Sequence, residues 1–147
     1  MRLMRYHFFG WEQADVAPTN LRYASIRTPR ELYDLLDGVW CAETCAPRMR
    51  DRWSPRNRTL GQCSITAFLA QDVFGGRVYG VPLADGNFHC YNVVRGRTFD
   101  LTSEQFADQV LDYADNPEQS RKAHFSQDEK RLRYELLKVR LDAALGL

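Results

Sequence analysis

Cys63 stands in a stretch whose residue types suit a nucleophilic thiol. The segment Thr59 to Gly76, TLGQCSITAFLAQDVFGG, predicts a buried helix that begins at this cysteine and ends at Gly75-Gly76. Its apolar residues have the spacing of a core-facing helix: Ile65, Phe68, Leu69 and Val73. Unpaired N–H groups and the helix dipole lower a thiol pKa at such a position, so an activated Cys63 is one interpretation. The other is a small buried hydrophobic residue, the commonest state of a free cysteine.

A base and a group that orients it would come from elsewhere in the chain, and a predicted β-hairpin supplies both. Its strands are Phe88 to Val94 and Arg97 to Thr102, separated by a two-residue turn. His89 lies in the first strand and Asp100 in the second. In the even-numbered register the two are diagonal neighbours on one face of the hairpin. The sequence therefore predicts a His89–Asp100 pair that serves the thiol.

Other residues could complete or replace parts of this site. In a shifted register Asp100 would turn to the other face, and Asn92 would then orient the imidazole. The oxyanion of an acyl-transfer reaction needs hydrogen-bond donors, for which the amides of Gln62 and Asn57 are candidates. Non-catalytic interpretations also stand, with His89 as a core or surface histidine and Asp100 as the cap of a following helix.

The elements that position these residues begin with a capped helix. Thr28 suits the N-cap, Pro29 suits the first helical position, and Glu31 completes a capping box. The apolar face of this helix consists of Leu32, Leu35, Leu36, Val39 and Trp40. Upstream of it, Arg5 to Trp11 is predicted as a strand.

A long irregular segment joins this helix to the Cys63 helix. Residues 41–60 lack periodicity, and Pro47 and Pro55 mark turns within them. The part from Arg48 to Arg58 holds five arginines and one aspartate. A solvated loop is the ordinary interpretation of such a charge run, and a site for an acidic substrate or partner is the alternative.

After the Cys63 helix, the sequence predicts one more strand before the hairpin and a helix after it. The strand is Arg77 to Leu83, interrupted by Gly80. The helix starts at Thr102 or Ser103 and ends near Asp115. Its apolar side would carry Phe106, Val110 and Leu111.

A second capping box, formed by Ser126 and Glu129, predicts the last helix, which runs to about Leu145. Its apolar residues form two adjacent stripes, with Leu132, Leu136, Val139 and Ala143 in one and Leu137, Leu141 and Ala144 in the other. Helices around a few strands in this order predict the α+β class.

Length and composition bound the class of protein. A chain of 147 residues, 44% hydrophobic and 27% charged, predicts one soluble domain. We divide it into an extension (1–27), a catalytic-type core (28–125) and a C-terminal helix (126–147). A net charge of +1 and the lack of a long apolar stretch argue against nucleic-acid and membrane partners. A cytoplasmic location with four reduced cysteines is expected.

Six short segments together resemble the YunG-like family of small bacterial proteins. They are WCAET (40–44), WSPRN (53–57), GQCSITAFLAQD (61–72), FGG (74–76), HCYN (89–92) and DLTSEQF (100–106). The resemblance covers roughly residues 30–106 and leaves the first 27 residues and the last helix outside. Family members usually carry an aromatic residue where this chain has Cys90. The resemblance supports the site more than it supports any particular reaction.

The order of Cys63, His89 and Asp100 along the chain is also similar to that of papain-like and transglutaminase-like enzymes. This similarity implies a cysteine-bearing helix packed on a small antiparallel sheet. It also implies a peptidase, glutamine deamidase or transglutaminase that needs no cofactor and takes a protein, peptide or small amide as substrate. Asn57 lies where papain-like enzymes carry the oxyanion glutamine, although it is one methylene shorter.

Two other classes of function fit parts of the sequence. A zinc site would draw its ligands from Cys41, Cys45, Cys63 and either His89 or Cys90. Only one closely spaced ligand pair is present, whereas structural zinc sites normally have two, so the sequence predicts no bound metal. A non-catalytic binding module would keep the fold and bind a partner through the Arg48 to Arg58 loop.

Overall fold

The computed structural model of the protein describes residues 6–147. Helix α2 (Cys63–Phe74) packs against both a three-stranded antiparallel sheet and the C-terminal helix α4 (Asp128–Leu145). The sheet order is β1 (Arg77–Pro82), β2 (Phe88–Val94) and β3 (Arg97–Phe99). The other α-helices are α1 (Pro29–Asp37) and α3 (Arg121–Phe125), and the 3-10 helices are Trp11–Gln13, Leu21–Tyr23, Ala42–Thr44, Pro47–Arg52 and Ser103–Phe106. The predicted α+β class and small antiparallel sheet are confirmed.

Helix α2 is central because nearly every side it presents is apolar. Its larger core contact is made by Ile65, Leu69, Ala70, Val73 and Phe74, all fully buried. A second cluster joins Ala67 and Phe68 to Val78 of β1 and Cys90 of β2. Burial of each large apolar side chain contributes about 1.5–3 kcal/mol, so the helix that begins at Cys63 is firmly held.

Residues 6–27, which the sequence analysis treats as an extension, contribute to the same core. Their buried side chains are Phe8, Ala14, Val16, Tyr23 and Ile26. The backbone of this segment is also attached to the sheet, because the Asp100 N–H donates to the Phe9 carbonyl at 3.0 Å. The segment therefore helps to fix the residue that the sequence analysis pairs with His89.

The hairpin has the even-numbered register that the sequence predicts. Val94 pairs with Arg97 and Asn92 pairs with Phe99. The two turn residues between the strands have φ of 47° and 78°, which is the left-handed pair that a tight hairpin requires. Because side chains alternate along a strand, His89 lies on the face of β2 opposite to Cys90 and Asn92.

The start of α1 confirms the predicted N-cap and modifies the capping box. Thr28 Oγ1 accepts a hydrogen bond from the Glu31 N–H at 3.3 Å. The Glu31 carboxylate accepts from the Arg27 N–H at 2.8 Å rather than from the N-cap residue. The helix ends at Asp37, and Trp40 is buried beyond its end.

Three predicted elements differ from the structure. The second strand of the hairpin, predicted to reach Thr102, ends at Phe99. The strand from Arg5 to Trp11 is reduced to a single bridge at Phe9, and Arg5 itself lies outside the described residues. The helix predicted up to Asp115 is a single 3-10 turn, Ser103–Phe106. Ala107 has φ of 52°, which ends the turn, and Val110 is 87% exposed.

The C-terminal helix begins without the predicted capping box. The Ser126 hydroxyl donates to the Ala123 carbonyl at 2.7 Å, at the end of the unpredicted helix α3, and Glu129 pairs with Arg133. Of the two apolar stripes, the one with Leu137 and Leu141 is buried. Leu132, Leu136 and Val139 of the other stripe are exposed. Within residues 6–147, no helix combines the length and apolar character needed to cross a bilayer.

Candidate active site

Cys63 is the first residue of α2 and lines a cavity of about 610 Å³. The cysteine is half-buried, and its Sγ lies 3.9 Å from the Phe88 carbonyl oxygen at the start of β2. No side chain caps the helix start. The N–H groups of the first helical turn therefore remain free to bind negative charge beside the thiol.

His89 and Asp100 form a buried pair behind the cavity. The His89 Nε2 lies 2.6 Å from the Asp100 Oδ2, and each side chain is 1% exposed. Since Nε2 is hydrogen-bonded to the carboxylate, Nδ1 is the ring nitrogen left to interact with Cys63. The Phe106 ring packs edge-on against the imidazole with centroids 4.7 Å apart, which restrains its orientation.

Asp100 is held by residues that the sequence analysis did not single out. Its Oδ1 accepts hydrogen bonds from the Thr102 N–H at 3.2 Å and the Thr102 hydroxyl at 3.4 Å. Its Oδ2 accepts from the Tyr113 hydroxyl at 2.7 Å, and the Tyr113 ring stacks on Phe9 at 3.9 Å. These partners are all donors, which suits a carboxylate whose role is to orient an imidazole. No periodicity around Tyr113 indicates its part in the site.

The ionisation of Cys63 and His89 favours a thiolate and an imidazolium. The hydrogen bond from Cys90 and the hydrogen bond and charge of His89 place the pKa of Cys63 well below its ordinary value, against the effect of burial. Burial alone would lower the pKa of His89, but the charge and hydrogen bond of Asp100, with a contribution from Cys63, raise it to about 10. Both shifts favour the thiolate–imidazolium form of the pair.

Cys90 is a buried neighbour of the nucleophile candidate. Its hydrogen bond to Cys63, burial and the negative charge on Cys63 raise the pKa of Cys90 well above the ordinary value. The protonated thiol is therefore the favoured form of Cys90 beside the Cys63 sulfur. The sequence analysis considered Cys90 as a zinc ligand and as a departure from the family pattern, but not as a neighbour of Cys63.

The three amide residues proposed from the sequence do not line this cavity. Gln62 is fully buried, and its Nε2 donates to the Cys41 carbonyl at 3.1 Å. Asn57 lines a separate cavity of about 350 Å³. Asn92 donates to the Ala67 carbonyl at 2.8 Å on the face of β2 opposite to His89, so it ties the sheet to α2 and does not orient the imidazole.

His124 is a cavity residue that the sequence analysis missed, because helix α3 was not predicted. Its Nε2 is buried and has no hydrogen-bond partner among residues 6–147. Burial, assisted by the positive charges of Lys130 and Arg133, lowers the pKa of His124 to about 4. The ring is therefore neutral at neutral pH.

The cysteines are all free in the described part of the chain. Cys45 is buried, with its Sγ 3.5 Å from the Ala46 carbonyl oxygen. Across residues 6–147, no three or more His, Cys, Asp or Glu side chains are arranged to hold a metal ion.

Comparison with known proteins identifies a family for this chain but finds no matching solved structure. Residues 28–146 match the family described as YunG protein, so the match includes α4, which the sequence analysis left outside the resemblance. The chain is 40% identical over 55 residues to the uncharacterized protein YunG of Bacillus subtilis strain 168. That alignment covers 37% of this chain and 47% of the relative, so the chain spans about half the length of the curated relative that it matches. No solved structure matches it.

Proposed function

The chain belongs to the YunG family, and we propose that it is a cysteine-dependent hydrolase or acyltransferase that acts on amide bonds. One observation carries the proposal. The buried His89–Asp100 pair, 2.6 Å between Nε2 and Oδ2, adjoins a half-buried cysteine at an uncapped helix start. A thiolate, a base and a group that orients the base are the parts that nucleophilic catalysis requires.

In the proposed reaction the Cys63 thiolate attacks the amide carbonyl carbon, and a C–S bond forms. The His89 imidazolium then gives its proton to the departing nitrogen as the C–N bond breaks, which leaves a thioester and a neutral imidazole. Water, or an amine in acyl transfer, attacks the thioester while the imidazole takes its proton. The C–S bond breaks, and the product and the thiolate–imidazolium pair are released.

The tetrahedral intermediate places a negative charge on the former carbonyl oxygen. The uncapped N–H groups at the start of α2 lie beside Cys63 and can donate to this oxygen, and the helix dipole favours the charge. We assign the oxyanion role to these backbone groups and not to Gln62 or Asn57. The Gln62 amide is committed to the Cys41 carbonyl, and Asn57 lines another cavity.

A papain-like or transglutaminase-like fold is part of the proposal. The support is the order of cysteine, histidine and aspartate along the chain, with the cysteine at the start of a helix that packs on an antiparallel sheet. Two further residues add to that arrangement in this chain. Cys90 interacts with the Cys63 thiol, and the Tyr113 hydroxyl donates a hydrogen bond to Asp100.

A non-catalytic binding module that uses the Arg48 to Arg58 loop has less support. Arg50 donates to the carbonyls of Ala42 at 2.9 Å and Cys45 at 3.0 Å. Arg58 donates to the Asp37 carbonyl at 3.1 Å. These two arginines stabilise the irregular segment itself, which accounts for part of its charge without a partner.

The function is tested by incubating the protein with a diverse library of peptides and small amides. Ammonia release, peptide cleavage and a covalent thioester on the protein are followed by mass spectrometry. Cys63→Ala is expected to abolish both product and adduct, whereas Cys41→Ala is expected to retain them, because Cys41 does not line the cavity. Turnover that survives in Cys63→Ala, or a folded protein that turns over nothing in the library, would contradict the proposal.

Selective labelling of Cys63 is the first prediction of this function. With limiting iodoacetamide, Cys63 is expected to react before Cys41, Cys45 and Cys90. Its rate should change little from about pH 6 to 9, since a lowered pKa keeps the thiolate as pH falls; an ordinary thiol slows about tenfold per unit below its pKa. Peptide mapping gives the labelled site. Earlier labelling of another cysteine would show that the nucleophile is misassigned.

A further inference from the structure

The cavity that holds Cys63 also holds two cations that make no direct ion pair in the described chain. Arg48 comes from the 3-10 helix Pro47–Arg52, and Lys130 comes from the first turn of α4. Arg48 is exposed, and Lys130 is half-buried. Neither side chain forms an ion pair or a hydrogen bond with residues 6–147.

The acidic groups around the cavity are already engaged. Glu129 lines the cavity but pairs with Arg133, whose guanidinium also donates to the Thr44 carbonyl at 3.0 Å. Asp85 lies in the turn before β2, where the Asn87 N–H donates to its carboxylate at 2.9 Å, and Arg48 acts on it only through the longer-range effect of its charge. The positive charges of Arg48 and Lys130 are thus left for a group that enters the cavity.

His124 is an independent indication of a ligand. Its Nε2 is buried in the wall of the same cavity and lacks a partner among the described residues. The ring is held between Phe68 and Phe125, with centroids 5.0 Å from each. Because Nε2 itself is enclosed, the ring must turn toward the cavity before Nε2 can donate a hydrogen bond to an oxygen of a bound group, and the missing hydrogen bond favours that turn.

We propose that Arg48, Lys130 and His124 bind a carboxylate of the amide substrate while Cys63 attacks its carbonyl carbon. This inference rests on the proposed function and names its substrate class: amides that carry a carboxylate near the bond attacked. A carboxylate is the common anion of peptides and amino-acid amides, either at the chain end or in an acidic side chain. The cavity of about 610 Å³ is large enough for a short peptide segment.

Three isosteric thiol reagents test the subsite without knowledge of the substrate. Iodoacetyl-glutamine amide is neutral, iodoacetyl-glutamine carries a chain-end carboxylate, and iodoacetyl-glutamate α-amide carries a side-chain carboxylate. In each case the Cys63 thiolate forms a C–S bond as iodide leaves. The rate of each acidic reagent is divided by that of the neutral one, and the ratio is compared with that for N-acetylcysteine amide in solution.

At least one acidic reagent is expected to give a ratio about 10- to 100-fold above that of the free thiol. This is the effect on the rate that one or two charge-assisted hydrogen bonds to the carboxylate would have. The preferred acid then shows whether the carboxylate belongs to a chain end or a side chain. The double variant Arg48→Gln, Lys130→Gln is expected to return the ratio to the free-thiol value. His124→Phe, which keeps the ring packing, is expected to lower it. Added salt should reduce the wild-type ratio, because the pair attracts the reagent electrostatically.

Matched controls use exposed cations that do not line the cavity. Arg52→Gln and Lys122→Gln are expected to keep the wild-type ratio. The neutral reagent could label Cys63 selectively while both acidic reagents give the same rate ratio as the free thiol. That result would overturn the carboxylate subsite and leave the proposed function standing. An unchanged ratio in the double variant would also overturn it. If the neutral reagent fails to label Cys63 selectively, the proposed function is overturned, and the subsite with it.

Discussion

Replacement of Asp100 by asparagine is expected to lower kcat for the amide that the protein turns over by about 1,000- to 10,000-fold. The carboxylate lies 2.6 Å from His89 Nε2 and keeps a proton there, so Nδ1 is the nitrogen that gives its proton to the leaving group and accepts one during hydrolysis. An asparagine amide can donate to Nε2, so the proton moves to Nδ1 and the acceptor is lost. Because size and shape are retained, the fold should survive.

The same variant should change the ionisation of the thiol. Burial would lower the pKa of His89 once the Asp100 charge that opposes it is gone, so the imidazole is expected to be neutral at neutral pH. Without an imidazolium beside it, Cys63 should have a higher pKa than in the wild type. The alkylation rate of Cys63 in Asp100→Asn should therefore rise with pH across the range in which the wild-type rate is flat.

Tyr113→Phe is the control for this prediction. It removes one hydrogen bond to Asp100 Oδ2 but keeps the carboxylate, its bonds from Thr102 and the stacking on Phe9. A much smaller loss of kcat, about tenfold, is expected together with a flat alkylation profile. If Asp100→Asn keeps kcat within tenfold of wild type and the flat profile, Asp100 does not orient the base.

The hairpin is the part of the site that the sequence predicts best, and the reason is geometric. Two β-rich runs separated by two residues have few compatible registers, and the burial of one face selects among them. Arg95 adopts a φ of 47° and Gly96 a φ of 78°, so the turn is made with only one glycine. Once the register is fixed, alternation of side chains brings His89 to Asp100.

The residues that the sequence did not reveal are those placed by tertiary packing. Tyr113 and His124 follow the hairpin in segments whose local pattern is misleading. Phe106 and Val110 have helical spacing, but Phe106 packs on His89 and Val110 is 87% exposed. A periodic pattern predicts a helix only if its apolar face finds a surface to cover.

The last helix illustrates the same limit. It carries two neighbouring apolar stripes, and the sequence alone gives no reason to bury one rather than the other. In the structure Tyr134, Leu137, Leu141 and Leu145 face the core, at the spacing of a single helical face. The choice follows from α4 packing beside α2, a contact between residues far apart in the chain.

Gly61→Ala is expected to reduce the free energy of unfolding by about 4 kcal/mol, since strain and overpacking each cost about 1–3 kcal/mol. Gly61 has φ of +69°, and an added Cβ would lie 2.5 Å from the Cys45 Sγ and 2.9 Å from the Ala46 N. Its carbonyl also accepts the Ala46 N–H at 2.9 Å, so the backbone cannot retreat without breaking that bond.

Gly86→Ala separates the two causes. Gly86 has φ of +87°, but nothing lies within 4 Å of the position of its Cβ, so only the backbone strain remains. Denaturant unfolding should show that Gly61→Ala lowers the free energy of unfolding by at least about 2 kcal/mol more than Gly86→Ala does. This difference is the cost of the close contact alone. Equal losses would show that the approach of Gly61 to Cys45 and Ala46 does not constrain the chain. Since Gly61 lies two residues before Cys63, the folded fraction of Gly61→Ala should also be alkylated more slowly at Cys63 than Gly86→Ala, because the start of α2 has been displaced from His89.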